Sequence, residues 1–243
     1  MRINKKWIVL EGYRGSQAHG TYIPHLEPNS IDDIDTMGIF IPSIDYYLGL
    51  KQIETIEEKE GVYDRVYYEI KKFFRLLIKG NPNVVGLLWL RPEDYIYKNE
   101  IGNLLIKKRN LFVSKKAFYS FAGYANSQMK RIEHFSFNGY MGEKRKSLVM
   151  KFGYDCKNAS HLIRLLNMCI DFLKTGEYIV FRPEREMLKE IKTGEWPLER
   201  VKKLADELFY IAESEFKKST LPESVNEMEV EKFLIDILKG ELL

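Results

Sequence analysis

Residues 12–40 read GYRGSQAHGTYIPHLEPNSIDDIDTMGIF, and two features of this stretch govern the reading of the rest. Gly15 and Ser16 follow directly on an apolar run, WIVLEG (7–12), at the predicted start of a helix or turn. Asp32, Asp33 and Asp35 then stand at the head of a second apolar run, IDTMGIFI (34–41). In an extended strand, residues two apart point to the same face, so Asp33 and Asp35 share a face. Two carboxylates so close raise each other's pKa and resist joint ionisation. A divalent cation removes the conflict, because Mg²⁺ takes oxygen ligands from one or two carboxylates and leaves positions open for phosphates. The plainer alternative is a solvated turn in which Asp32 or Asp33 caps a helix. The Gly-Ser pair weighs against it. Glycine lets backbone N–H groups turn towards an anion and serine adds a hydroxyl donor, which predicts a phosphate cradle beside a metal clamp.

Working outward, VYDRVYYEI (62–70) reads as a third strand after a charged EEKEG turn, and KKFFRLLIKG (71–80) as a helix ended by Gly80 and the NPN that follows. Phe73, Phe74, Leu76, Leu77 and Ile78 are its expected core residues. The apolar VVGLLWLRPEDYIY is core broken by a connection at RPED. Beyond it the pattern is helical, over 115–133, 147–174, 184–193, 197–217 and 225–240. The expected fold is therefore α+β: a mixed-sheet domain with flanking helices over 1–112, then a helical domain over 113–243.

A hydrophobic share of 45% with 30% charged residues is that of a folded globular chain, and a net charge of +3 does not announce a polyanion partner. No signal peptide and no run near the roughly twenty apolar residues of a membrane span is evident, so a cytoplasmic location is expected. Cys156 and Cys169 are thirteen residues apart in one expected helix, about 20 Å of rise, too far for a disulfide. They form no CxxC pair, and His19 and His25, in an H-x5-H spacing, match no zinc pattern.

Tyr154, Lys157, His161 and Arg164 follow one another at spacings of three, four and three, along one helical face. Leu162, Leu165, Leu166, Cys169 and Ile170 take the other side as core. Lys144, Arg145, Lys146 and Lys151 precede this helix and make a local basic cluster. The stripe reads either as an ordinary solvated cationic face or as a wall of the cleft, with Lys157, His161 and Arg164 on a triphosphate or acceptor backbone and Tyr154 stacked on a base or sugar. Tyr119, Tyr124 and Tyr140, near Lys130 and Arg131, are candidates for packing or for RNA stacking.

The Gly-Ser pair, a spacer of about sixteen residues and DID within an apolar strand resemble the signature of the DNA polymerase β-type nucleotidyltransferase superfamily. More narrowly, the chain is similar to the RNA-repair-pathway polymerase β-like nucleotidyltransferases. The blocks that carry the likeness are YRGSQAHG, DDIDTMGIFIP, VYYEIKKFFRLLIKGNPNVVGLLW, KFGYDCKNASHLIRLL and RPEREMLKEIKTGEW, in that order. The resemblance implies a metal-dependent nucleotidyltransferase that moves an NMP from an NTP to a hydroxyl acceptor and releases pyrophosphate. It implies two Mg²⁺ ions, with Mn²⁺ a substitute, held by Asp33 and Asp35 together with a third carboxylate. Asp64 begins its strand as that acid commonly does; Glu69, five residues on and on the opposite face, is the alternative and could instead cap the next helix. Gly15 and Ser16 would hold the β- and γ-phosphates. The acceptor is an RNA end by resemblance, with a protein or a small molecule as the alternative acceptors and a non-catalytic nucleotide-binding regulatory module as the rival of another class.

Overall fold

The computed structural model describes residues 2–24, 32–133 and 143–242. Its N-terminal half is built on five strands: β1 (Ile8–Tyr13), β2 (Ile34–Phe40), β3 (Thr55–Glu60), β4 (Tyr63–Glu69) and β5 (Tyr95–Lys98). They form one mixed sheet in the order β3-β4-β2-β1-β5, with β2 and β4 parallel and the other neighbours antiparallel. The three strands expected from the sequence are the three central ones. The EEKEG segment, read as a turn, is instead most of β3, and YIYK is β5. Both lie at the edges of the sheet, where charged or short strands guard against pairing with other chains.

Four short helices belong to this half: α1 (Gly15–His19), α2 (Asp45–Leu48), α3 (Ile70–Ile78) and α4 (Glu100–Lys107). Helix α3 presents the expected core face and stop: Phe73, Phe74 and Leu77 are buried, Leu76 and Ile78 pack partly against the same core, and Gly80 turns at a positive φ of 59° just beyond its end. The C-terminal half contains α5 (Ala117–Glu133), α6 (Glu143–Phe152), α7 (Cys156–Thr175), α8 (Arg185–Lys192), α9 (Leu198–Lys218) and α10 (Glu227–Leu242). The single helix expected over 147–174 is two. Gly153 adopts a left-handed φ of 78°, and Asp155 then caps α7 by accepting from the Asn158 N–H at 3.0 Å.

Helix α7 is the axle of the second half, packed against α5, α8 and α9 and buried along most of its length. Cys156 and Cys169 are both free and buried on it. The large core runs without a break from β1, β2 and α3 through α5 and α7 to α9 and α10, across the boundary expected near residue 112. Side chains also bridge the halves: the Trp89 indole N–H donates to Glu177 at 2.6 Å and Arg109 donates to the same carboxylate at 3.0 Å. Among the described residues no helix is long and apolar enough to cross a membrane.

Alternation along β2 sets up the site. Met37 and Ile39 point into the large core, so Asp35, two residues earlier, points to that same helix-covered side. Phe40 points the other way, into a small cluster with Ile8, Ile56 and Tyr67.

Candidate active site

A cleft lies where β1, α1 and β2 meet α7 and the segment 82–90. It has two adjoining compartments. The larger, about 200 Å³, has an apolar wall that includes Tyr13, Met37, Leu87, Leu90 and Val180. The smaller, about 120 Å³, is polar, with Ser16, Thr21, Asp32, Lys157, Ser160 and Lys192 around it. Gly15, His19, Asp35, His161 and Arg164 line both.

Asp35 is brought here by β2, and the parallel register sets Asp64 of β4 level with it on the same face. Gly15 closes over it: the residue has a φ of 61°, and a Cβ there would stand 2.6 Å from Asp35 Oδ2. Only glycine fits both the backbone and the space. Burial raises the Asp35 pKa above the usual carboxylate value; Arg14 and Lys157 oppose that rise, while Asp64 and Asp33 add to it. The Arg14 guanidinium approaches to 4.0 Å, too far for a hydrogen bond.

The other carboxylates differ in their commitments. Asp33 is exposed and within electrostatic reach of Asp35. Asp64 is partly exposed, and its Oδ2 lies 3.3 Å from the ammonium of Lys59, a side chain 77% exposed. Glu69 is buried on the opposite face of the sheet, where it caps α3 by accepting from the Lys72 N–H and takes a 2.7 Å hydrogen bond from the Tyr47 hydroxyl. Among the described residues, no three His, Cys, Asp or Glu side chains converge into a ready-made metal cage. The chemistry of the donor set nevertheless fits a hard divalent cation: Asp35 and Asp64 offer carboxylate oxygens side by side, and their shared repulsion is what a cation relieves.

The opposite wall is cationic. Lys157, Ser160, His161, Arg164 and Met168 recur at helical spacing along α7, so one face of that helix looks into the cleft. Arg164 is buried, yet among the described residues no carboxylate pairs with it; its Nη1 donates only to Met168 Sδ at 3.0 Å. Burial, then the charge of Arg182, lowers its pKa to about 10. Its neighbour Arg182 is deeper still but fully engaged, with Asp171 at 2.7 Å and Glu184 at 2.9 Å. His19 accepts no proton readily: burial and then the Arg164 charge hold its pKa well below the usual histidine value. Its Nδ1 donates to the Val180 carbonyl at 3.0 Å, which leaves Nε2 as the acceptor of the neutral ring. His161 packs edge-on to Tyr124, their ring centroids 5.8 Å apart.

Tyr154 is not brought to the cleft. It precedes α7 rather than riding on it, is buried, donates its hydroxyl to the Trp196 carbonyl at 2.6 Å and lines neither compartment. His25 and Tyr140 lie outside the described residues, as do the side chains of Lys144 and Arg145. Lys146 and Lys151 stand on α6. Several lining residues carried no signal of their own in the sequence. Ser160 was legible as the residue between Lys157 and His161 on the same helical face. Lys192 was not, because nothing in EIKTGEW announces that this lysine is buried.

No relative among functionally curated proteins matches the chain. It is similar to a solved nucleotidyltransferase-like protein from Exiguobacterium sibiricum, with 10% identity over 98% of this chain and 76% of that one, at a TM-score of 0.30. That likeness is too loose to bear on the site. The profile of RlaP, the RNA repair pathway DNA polymerase beta family, matches residues 4–233, nearly the whole chain, and the chain belongs to that family.

Proposed function

We propose that the protein is a Mg²⁺-dependent nucleotidyltransferase that moves an NMP from an NTP to a hydroxyl acceptor, with an RNA end as the acceptor. The observation that carries this reading is the pairing across one cleft of Arg164, a buried cation without a carboxylate partner among the described residues, and Asp35, a carboxylate whose charge is disfavoured where it stands. A buried unpaired guanidinium is costly unless an anion completes it, and phosphate matches its fork of donors. An anion from outside the chain supplies that complement.

In this reading the polar compartment takes the triphosphate and the larger apolar one the base and ribose. Arg164 and Lys157 neutralise phosphate oxygens, and Gly15 and Ser16 offer the β- and γ-phosphates a backbone N–H and a hydroxyl. Neutral His19 adds no competing charge. Asp33, Asp35 and Asp64 would hold the metal, with Asp64 preferred to Glu69 because only Asp64 shares a face with Asp35. When bound, Mg²⁺ neutralises charge at the transferring phosphoryl group and lowers the pKa of the acceptor hydroxyl. The acceptor oxygen bonds to the α-phosphorus as the bond to the β-phosphate oxygen breaks, and pyrophosphate leaves. Support for RNA comes from the family's description and from the basic residues on α6.

A second reading, a nucleotide-binding regulatory module without turnover, is favoured by the Lys59–Asp64 contact, which occupies a carboxylate that catalysis requires. Incorporation of each of the four labelled NTPs into a panel of RNA ends, proteins and small molecules, with Mg²⁺ and with Mn²⁺, separates the readings. Labelled RNA with pyrophosphate release supports the first; saturable NTP binding with no transfer to any acceptor supports the second. Arg164→Met should weaken NTP binding by tenfold or more, on the order of a charge-assisted hydrogen bond, and unchanged binding would sink both.

A further inference from the structure

The face of the sheet turned away from the cleft holds a cavity of about 580 Å³, walled by the N-terminal segment and by the edge strands β3 and β5. That volume falls in the range of small-molecule sites. At its floor stands Glu11 of β1, a carboxylate only 9% exposed. Strand alternation sets it opposite to Leu10, which enters the large core on the helix-covered side. Cavity and cleft therefore share β1 and β2 but open on opposite faces.

Two hydroxyls hold Glu11 in place. The Tyr67 phenol donates to its Oε1 at 3.0 Å, and Thr36 donates to the same oxygen at 3.1 Å. Gly38, on the strand between β1 and β4, makes the first contact possible: a Cβ there would stand 2.5 Å from the Tyr67 ring, so its absence lets the ring lie across β2 and reach Glu11. Burial and then the Glu11 charge push the Tyr67 pKa above the ordinary phenol value, which keeps the hydroxyl a donor. Oε1 is thereby filled, while Oε2 has no hydrogen-bond partner among the described residues.

Nor does any lysine or arginine among the described residues pair with Glu11. The other acids of the wall are engaged, Glu58 by the Ile3 N–H at 2.6 Å and Glu60 by the Arg65 guanidinium at 3.5 Å. A buried carboxylate without a counter-charge is costly, and a cation from outside the chain relieves it. With one oxygen open, the match is a compact ammonium; the fork of a guanidinium asks for both oxygens. Arg2, Lys5 and Arg65 also line the cavity. They would repel a plain cation at the mouth and attract an acidic group carried on the same molecule.

We infer that this cavity is a second ligand site, for a small zwitterion of the ω-amino acid class: its ammonium on Glu11 Oε2, its aliphatic stem along Ile8 and Ile96, its carboxylate among Arg2, Lys5 and Arg65. Titration with 5-aminopentanoate, followed through the ring-proton resonances of Tyr67 and Tyr97, which both line the cavity, tests it. Both signals should shift to saturation. Pentylammonium should bind about tenfold more weakly, as loss of one charged contact requires, and pentanoate should not bind. Glu11→Gln keeps an acceptor for the two hydroxyls and should weaken 5-aminopentanoate by about tenfold or more. A second variant leaves the core untouched: Arg2→Ser with Lys5→Ser, both exposed, should shrink the preference for 5-aminopentanoate over pentylammonium. Static Tyr67 and Tyr97 signals, pentylammonium binding as tightly as 5-aminopentanoate, unaltered affinity in Glu11→Gln, or an undiminished preference in the double variant overturns the inference.

Discussion

Asp35 and Asp64 stand level with each other on adjacent parallel strands, each the second residue of its strand, with their side chains on the helix-covered face. Burial, with a smaller contribution from Asp64, disfavours the charged form of Asp35 in the folded chain, and its raised pKa is the sign of it. Asp35→Asn should therefore abolish metal-dependent NMP transfer while the fold holds or gains. Relief of about 1 kcal/mol would raise the melting temperature by about 2–4 °C at this chain length. Parallel thermal melts and labelled-NTP assays check it; a variant that transfers at full rate would remove Asp35 from the chemistry.

Gly15→Ala places a methyl group 2.6 Å from Asp35 Oδ2, inside contact distance, and forces a side-chain-bearing residue into the left-handed region. The backbone cost is about 1–2 kcal/mol, and Asp35 must also rotate away. Transfer activity should fall far more than stability. Urea unfolding beside a kinetic assay distinguishes this from simple unfolding, in which the two losses would track each other.

His19 gives the stability a pH dependence whose direction follows from its depressed pKa. As pH drops below the ordinary histidine value near 6.5, the unfolded chain takes up a proton here and the folded chain does not. Stability contributed by the neutral ring is thus complete above that value and declines as pH is lowered, by at most about 1.4 kcal/mol per pH unit. His19→Gln should flatten that decline. Urea midpoints at pH 7.5, 6.5 and 5.5 for both proteins measure it, and identical slopes would contradict the assignment.

Tyr154→Phe removes the hydroxyl that satisfies the Trp196 carbonyl. The expected loss is about 1–3 kcal/mol of stability, the penalty for an unmatched buried acceptor, with NTP affinity unchanged. A drop in affinity at intact stability would restore Tyr154 to the cleft.

The central architecture was legible because the strongest patterns in the sequence are those of its most buried parts. β1 and β2 carry long apolar runs and β4 is rich in Tyr, and strand alternation alone sets Asp35 on the face of Met37 and Ile39; that Asp64 stands level with it is set by the parallel register of β2 and β4. What escaped notice obeys weaker rules. TIEEKE carries the charges that an exposed edge strand tolerates, and those charges look like a turn when read without neighbours. The break between α6 and α7 was written in Gly153 and Asp155, a left-handed stop followed by an N-cap, but the apolar spacing runs on through it. Extending one helix through that break is also what put Tyr154 on the face of Lys157. The partnership of Asp32 with Lys192 spans 160 residues, and no local pattern encodes a contact of that range. The packing of the whole chain decides it.

The unbroken core beneath the cleft has a mechanical consequence. Because Phe74, Phe112, Phe121 and Leu166 belong to the same apolar mass, the sheet and the helical half share one interior rather than meeting at a greased joint. Severing the chain between residues 112 and 117 would leave each fragment with a raw hydrophobic wall, and the carboxylates on one piece and the arginine on the other would cease to face a common void.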